Sequence, residues 1–412
     1  GLAWSVVRAV AAAGAPPSVL IGVRYALERG RGRIPVPVGS ALLGTVLAIT
    51  ALSATTVFGA SLTWLVNSPA LYGVPYDVNF SNGGADSSAG AVLTGPLLHS
   101  LQRDPAIDRI TLATVAEINV NGRHVRAVAV SAARGPALIS AVDGRLPRGD
   151  QDIMLGATTL RGLGAGAGDQ VRVTADDPVT GAAHSRPFVV TGRASFAPGF
   201  GTGGFGDGAA LTVNGLLHAQ CPDGGSACLQ KAQQGLIYSV LVHAVPGRSG
   251  AAALARYTRQ YPEFITDQAK PIELINFGEA VNFPLLFGVA LSLFGAATLV
   301  HLLLVSVSRR RAEADLLKVI GFVRRQVAAV VSWQASVVIL VGMTVGVPLG
   351  IAAGKVAWRQ FATSVGVVPV PVVQAVPLVL LAAAVLVAAN LLAVLPALRA
   401  VRSRPADLLH TE

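Results

Sequence analysis

The sequence predicts a membrane protein in which four transmembrane α-helices carry a large α+β extracytoplasmic domain, inserted between helices 1 and 2. Composition is the first ground. Of 412 residues, 52% are hydrophobic and only 13% are charged, whereas a soluble globular chain is about one quarter charged; a disordered tail and a simple cytosolic enzyme are therefore excluded. Mean hydropathy is +0.58. The second ground is a set of four stretches without Asp, Glu, Lys or Arg, at 34–76, 280–308, 326–354 and 360–398. Each exceeds the roughly 18 residues that mark a membrane span. The third ground is the placement of a net charge of +10. Residues 67–279 hold 16 Arg and Lys against 17 Asp and Glu, while 1–35, 309–325 and 399–412 together hold 14 against 5. Positively charged short segments stay in the cytoplasm, so both termini and 309–325 are expected inside and 67–279 outside. Basicity of this kind reports topology, and a nucleic-acid partner loses its support.

In chain order, residues 1–35 read as a cytoplasmic N-terminal or linker segment. Their opening has helical spacing but is too short and too Arg-punctuated to span, and no signal peptide is visible in it. Transmembrane helix 1 takes 36–66. The pattern then changes to short alternating runs such as "RITLATVAEINV" and "RHVRAVAV", separated by Asn121-Gly122, a strong hairpin signal. Later, "SVLVHAV", "GRSGAAALARYTRQYP" and "EFIT" read as strand, helix and strand. The whole of 67–279 is thus an α+β domain of one or two lobes, in which "GFGTGGFGDG", 199–208, reads as a mobile loop. Helix 2 takes 280–308, a cytoplasmic segment 309–325, and helix 3 takes 326–357. The uncharged part of helix 3 alone has 29 residues, about 44 Å of helix against a bilayer core of about 30 Å, so it tilts or protrudes. A short external loop, 358–372, turns around Pro369 and Pro371; helix 4 follows at 373–398 and a cytoplasmic tail at 399–412.

Three features of the chain carry a resemblance. "SRRRAEADLLKVIGFVRRQV" after helix 2 combines a basic stretch, an acidic residue, a Leu-Leu pair, a small-residue turn and an Arg-Arg-Gln-Val helix start. The tail reads "LPALRAVRSRPADLL", and the external domain contains "VDGRLPRGDQDIMLGATTLRGLGAGAGDQVRV". Together with one span, a large external domain and three more spans, these resemble the FtsX/MacB-like ABC transporter permease family from about Pro17 to the end. The resemblance implies a bacterial plasma-membrane permease that works with a dimeric ABC ATPase. Abundant Ala, Val and Gly with 28 Arg to 4 Lys fit a GC-rich bacterial genome. It also implies a second four-span unit, in the same longer chain or as another copy, because "PPSVLIGVRYALERGRGR" looks like the linker that introduces a second copy. One departure is Gln334, which stands where many members of the family carry a carboxylate.

The family's coupling contact carries over to 309–325. On a helix over 310–322, Leu316, Leu317 and Ile320 share one face while Arg310, Glu313 and Lys318 lie around the rest, and Gly321 permits a break before Arg324. These residues resemble a segment that docks on an ATPase. The alternative is an amphipathic helix on anionic lipid. No G-x-x-x-x-G-K-[ST] occurs, so ATP and Mg are expected only in the partner, and the chain itself is expected to be no enzyme. The nearest likeness, Gly350-Ile-Ala-Ala-Gly354-Lys355, reads as a helix-packing stretch, and Gly162, Gly164, Gly166 and Gly168 read as a turn. His218, Cys221 and Cys228 have the spacing for three metal ligands, but as the only two cysteines in an oxidising compartment Cys221 and Cys228 are read as a disulfide. His301 near the inner end of helix 2 is read as structural. No catalytic, cofactor-binding or metal residue is named. The function expected is export, or handling of lipid, lipoprotein or peptide, driven by the ATPase. The alternatives are a signalling element that regulates a cell-wall hydrolase or senses antimicrobial peptides, and an external domain merely anchored by four helices.

Overall fold

In a computed structural model, residues 8, 11–12, 14–27, 38–81, 93–196, 204–266, 282–309 and 323–402 are described. They divide into two compact units, one of 1–62, 279–358 and 371–412, the other of 63–278 and 359–370.

The first unit is helical. Helix α1 is Pro17–Leu27 and α2 is Val38–Val66, a 29-residue run without a charge. Among the described residues three helices are long and apolar enough to cross a membrane: Leu42–Val66 within α2, Ala328–Val365 and Ala375–Val394. The expected second span coincides with a 28-residue helix, Asn282–Arg309, in which Leu286–Thr298 is the described apolar stretch. The expected third span is the core of a much longer helix, Arg324–Val365. Its 42 residues extend about 63 Å, twice a bilayer core, and it runs on past 357 through much of what the sequence assigned to an external loop. The last helix is Ala375–Arg402.

α1 was not anticipated as a packed element. Its Val19, Val23 and Ala26 are buried, and a Cβ on Gly22 would stand 2.6 Å from Cβ of Trp333 and 2.9 Å from the carbonyl oxygen of Val330. The i, i+4, i+7 spacing of these three residues is the signal that could have revealed it.

The second unit is built on a single nine-stranded sheet. Its strands are β1 Val78–Ser81, β2 Ile107–Val120, β3 Arg123–Arg134, β4 Ser140–Gly144, β5 Asp152–Leu155, β6 Gln170–Asp176, β7 Ala183–Ser195, β8 Ala209–Thr212 and β9 Ser239–Ala244. The order is β1-β9-β2-β3-β8-β5-β7-β4, with β6 pairing β7 and β2. The β6–β2 pairing, Asn119 with Thr174 and Val120 with Val173, closes β2, β3, β8, β5, β7 and β6 into a ring. Closure leaves the ring strands without a free edge over the paired residues. The ring encloses a core that includes Ile118, Val125, Ile153, Val173, Phe188, Val190 and Leu211. A second core lies along β1, β9 and the start of β2, around Phe80, Ile107, Ile110, Val240, Val242 and Tyr257. Two cores on one sheet are what the sequence shows as a domain of one or two lobes.

The long hairpin of β2 and β3 turns at Asn121-Gly122, with positive φ at both residues, 47° and 86°. This is the backbone for which the Asn-Gly pair is selected. Helix α3 is Leu98–Arg103 and α4 is Ala157–Leu163, which ends on Gly164 at φ 63°. Helices α5, Val213–Gln220, and α6, Ser226–Gln234, pack on the ring, and the sulfur atoms of Cys221 and Cys228 beside them are bonded, with Cα atoms 5.9 Å apart. Helix α7 is Arg248–Gln260, and the segment after it forms a short turn, Pro262–Phe264, with one bridge from Ile265 to Phe80 in place of an expected strand. Of the expected mobile loop, residues 204–208 are packed: Phe205 is buried against Tyr72, ring centroids 6.1 Å apart. The remaining helices, Asn282–Arg309, Arg324–Val365 and Ala375–Arg402, are hereafter α8, α9 and α10.

Candidate functional site

The expected coupling residues Arg310, Glu313, Leu316, Leu317, Ile320 and Gly321 lie outside the described residues; Arg324 is the first residue of α9. The two ends that bracket the segment are described. α8 ends at Arg309, and α9 restarts with the side chain of Gln326 reaching back to accept from the backbone N–H of Val323 at 3.0 Å. That is one half of a capping box, and it explains the helix start that Arg-Arg-Gln-Val suggested.

The first third of α9 is held on two sides. α1 packs against Val330 and Trp333 as described above. Toward α10, Asn390 Nδ2 donates to Ser336 Oγ at 3.0 Å and Ser332 Oγ pairs with Asn390 Oδ1 at 2.7 Å. Apolar contacts of Val331, Ala335, Val338 and Ile339 with Ala389 and Ala393 surround this polar set. In a bilayer, where water offers no alternative partner, such hydrogen bonds fix the rotation of one helix on another. Gln334 is buried in the same stretch.

Farther along, α9 meets α2 through residues four apart on each helix. Gly342, Gly346, Gly350 and Gly354 face Thr45, Ile49, Ser53 and Val57; a Cβ on Gly350 would stand 2.5 Å from Cβ of Ser53 and from the carbonyl oxygen of Thr50. The stretch that resembled a nucleotide loop is therefore a seam where two backbones approach closely. α2 also touches α8, since a Cβ on Gly295 would stand 2.6 Å from that of Ala48. Among the four helices a small apolar cavity of about 120 Å³ is lined by Thr45, Ile49, Gly295, Ile339, Ala389 and others. No charged side chain lines it.

At its far end α9 becomes part of the sheet unit. Gln360, Thr363 and Ser364 line an open cleft of about 670 Å³ together with Asp143, Arg161 and Arg193. Arg193 grips Asp143 through Nε and Nη2 and also donates its backbone N–H at 3.0 Å. Those hydrogen bonds hold the Asp143 carboxyl below the usual carboxylate range and push the guanidinium up. Arg161 donates from Nη2 to the carbonyl oxygen of Ser364 at 3.0 Å. Among the described residues no nucleophile–base pair lies in this cleft. Likewise, among the described residues no group of three His, Cys, Asp or Glu gathers as a metal site.

Residues 285–405, covering most of α8, the 310–322 segment, α9 and all of α10, match the C-terminal domain of FtsX-like permeases. This stretch is similar to an FtsX-like permease domain. No curated protein matches the chain. That similarity, with the apolar helices, supports a membrane-embedded, permease-type component of ABC-like systems. Permeases of this kind are generally non-enzymatic and work with an ABC ATPase. The seam glycines and the Asn390 contact all fall within the matched residues.

Proposed function

We propose that this chain is the membrane subunit of an ABC system in which a cytoplasmic ATPase dimer docks on 309–325 and moves the extracytoplasmic α+β domain. Four spans, with α8 as the second, and cytoplasmic termini complete the topology. The observation that carries this reading is the match over 285–405, which encloses the 310–322 segment between α8 and α9. The helical unit favours transmission of movement over a solute channel: α2 carries no charge, and the cavity among the helices is small and apolar. The work done outside is export, or extraction of lipid, lipoprotein or peptide. A second reading, in which the same movement signals to a cell-wall hydrolase or reports an antimicrobial peptide, rests on that same feature. A second four-span unit, in the same longer chain or as another copy, completes the assembly.

The test is association with the ATPase. Leu317→Asp places a charge in the expected apolar contact and is expected to abolish co-purification of the ATPase, at a cost of several kcal/mol, on the order of a buried unpaired charge. Glu313→Gln is expected to leave it intact. Wild-type binding by Leu317→Asp would remove the coupling role. Loss of membrane-surface binding on replacing Arg310, Arg311 and Arg324 by Gln, with the ATPase still attached, would assign the segment to lipid instead.

A further inference from the structure

The connection between α9 and α10 is not a surface turn. Residues 359–370 belong to the sheet unit, and their backbone is tied into it at three places. Arg161, on α4, donates to the carbonyl oxygen of Ser364 at 3.0 Å. The backbone N–H of Val368 donates to the carbonyl oxygen of Leu71 at 3.0 Å, in the short turn Pro69–Tyr72 that follows α2. Between these, Gly366 lies directly on Gly206. A Cβ on Gly366 would stand 2.3 Å from Cα of Gly206, and Gly366 adopts φ 89°, which an L side chain rarely takes. Gly206 is itself fixed: its carbonyl oxygen accepts from the N–H of Thr158 at 2.8 Å and of Thr159 at 3.3 Å, at the start of α4. Val367, next to Gly366, is fully buried.

Beyond this segment the chain is pinned again. The N–H of Val372 donates to Ser61 Oγ of α2 at 2.9 Å. The chain after α2 and the end of α9 are thus tied to one another, by Val368 to Leu71, within the unit that carries the sheet.

We propose that 359–370 is a rigid joint through which displacement of α9 reaches the nine-stranded sheet, with the Gly206–Gly366 contact as its bearing surface and Arg161 as its clasp. The proposal rests on the ATPase-driven movement argued above and locates where that movement is handed on. A helix conveys displacement along its axis because its backbone is hydrogen-bonded throughout. A loosely attached end would dissipate the displacement in the loop, whereas an end held by backbone contacts on two sides passes it to the sheet.

The joint is tested with the full chain and its ATPase in lipid nanodiscs, with spin labels on cysteines introduced at Thr180, exposed on the sheet unit, and Val376, exposed on α10. Cys221 and Cys228 are bonded to each other and do not compete for label. In the wild type the inter-label distance is expected to change between the nucleotide-free and ATP-bound states. In Gly366→Ala that change is expected to fall to less than half while ATPase activity stays within twofold; Arg161→Gln, which leaves the glycine contact in place, is expected to fall between and serves where Gly366→Ala does not fold. The full change in both variants would overturn the joint and leave the proposed function standing. No change in the wild type would overturn both.

Discussion

Asp152 shows how much one residue of the sheet unit can hold. Its carboxylate accepts Arg145 Nη1 and Nη2 at 2.6 and 2.8 Å and the backbone N–H groups of Arg148 and Gly149 at 3.0 and 2.9 Å. The Arg145 hydrogen bond above all, with those two amides, holds the Asp152 carboxyl well below the usual carboxylate range. The side chain of Asp152 is only 13% exposed whereas that of Arg145 is 58% exposed, so the carboxylate is the member whose loss matters. A carboxyl depressed in the folded state contributes stability that is complete above its unfolded value, about 3.9, and is lost as pH falls toward the folded value. Asp152→Asn is therefore expected to cost about 1–3 kcal/mol at pH 7, and the gap between variant and wild type is expected to narrow once pH falls below about 3.9, closing only near the strongly depressed folded value. Thermal unfolding of both proteins at pH 7 and pH 3 checks this; a gap that stays constant would remove the linkage.

At the scale of elements, the seam of α2 and α9 makes two glycine positions behave oppositely. Gly350→Ala drives a methyl group into Ser53 and the Thr50 carbonyl, an overpacking expected to cost about 1–3 kcal/mol. Gly59→Ala, on α2, meets nothing within 4 Å and is expected to be neutral or slightly stabilising, because alanine restricts the backbone more than glycine does. Comparing the two midpoints of thermal unfolding in one detergent decides the matter, and equal shifts would mean that the helices do not meet along this line. The seam was partly legible, since 350–356 read as helix packing. The Asn121-Gly122 hairpin was legible too, because its turn residues are set by local backbone geometry. Less was visible where the partners lie far apart in sequence: the parallel pairing of β3 with β8, the closure through β6, and the packing of Gly206 against Gly366 leave no local period. Residues 204–208 looked like a loop because six of the ten residues in 199–208 are glycine, yet at Gly206 the missing side chain is what permits the contact. The extra length of α9 escaped because Lys355 and Arg359 interrupt the apolar run, and charge marks the limit of a span without marking the limit of a helix.

For the whole molecule the charge distribution makes a definite forecast of which side of the membrane the sheet unit faces. The sheet unit is nearly neutral, with 16 positive against 17 negative residues over 67–279, while the segments flanking the helices on the other side hold 14 against 5. Translocating those basic segments would oppose the bias that retains Lys and Arg near helix ends in the cytoplasm. An outward-facing sheet also places the bonded Cys221 and Cys228 in an oxidising compartment, where such pairs persist. Thr180→Cys, in the exposed turn between β6 and β7, is therefore expected to react with a membrane-impermeant maleimide in intact cells. Val323→Cys, exposed just before α9, is expected to react only after the membrane is opened. The two sites serve as controls for each other, because misfolding or leakage would label both. Labelling of Val323→Cys alone from outside would invert the molecule, place the coupling segment beyond the reach of a cytoplasmic ATPase, and remove the physical basis for the proposed function.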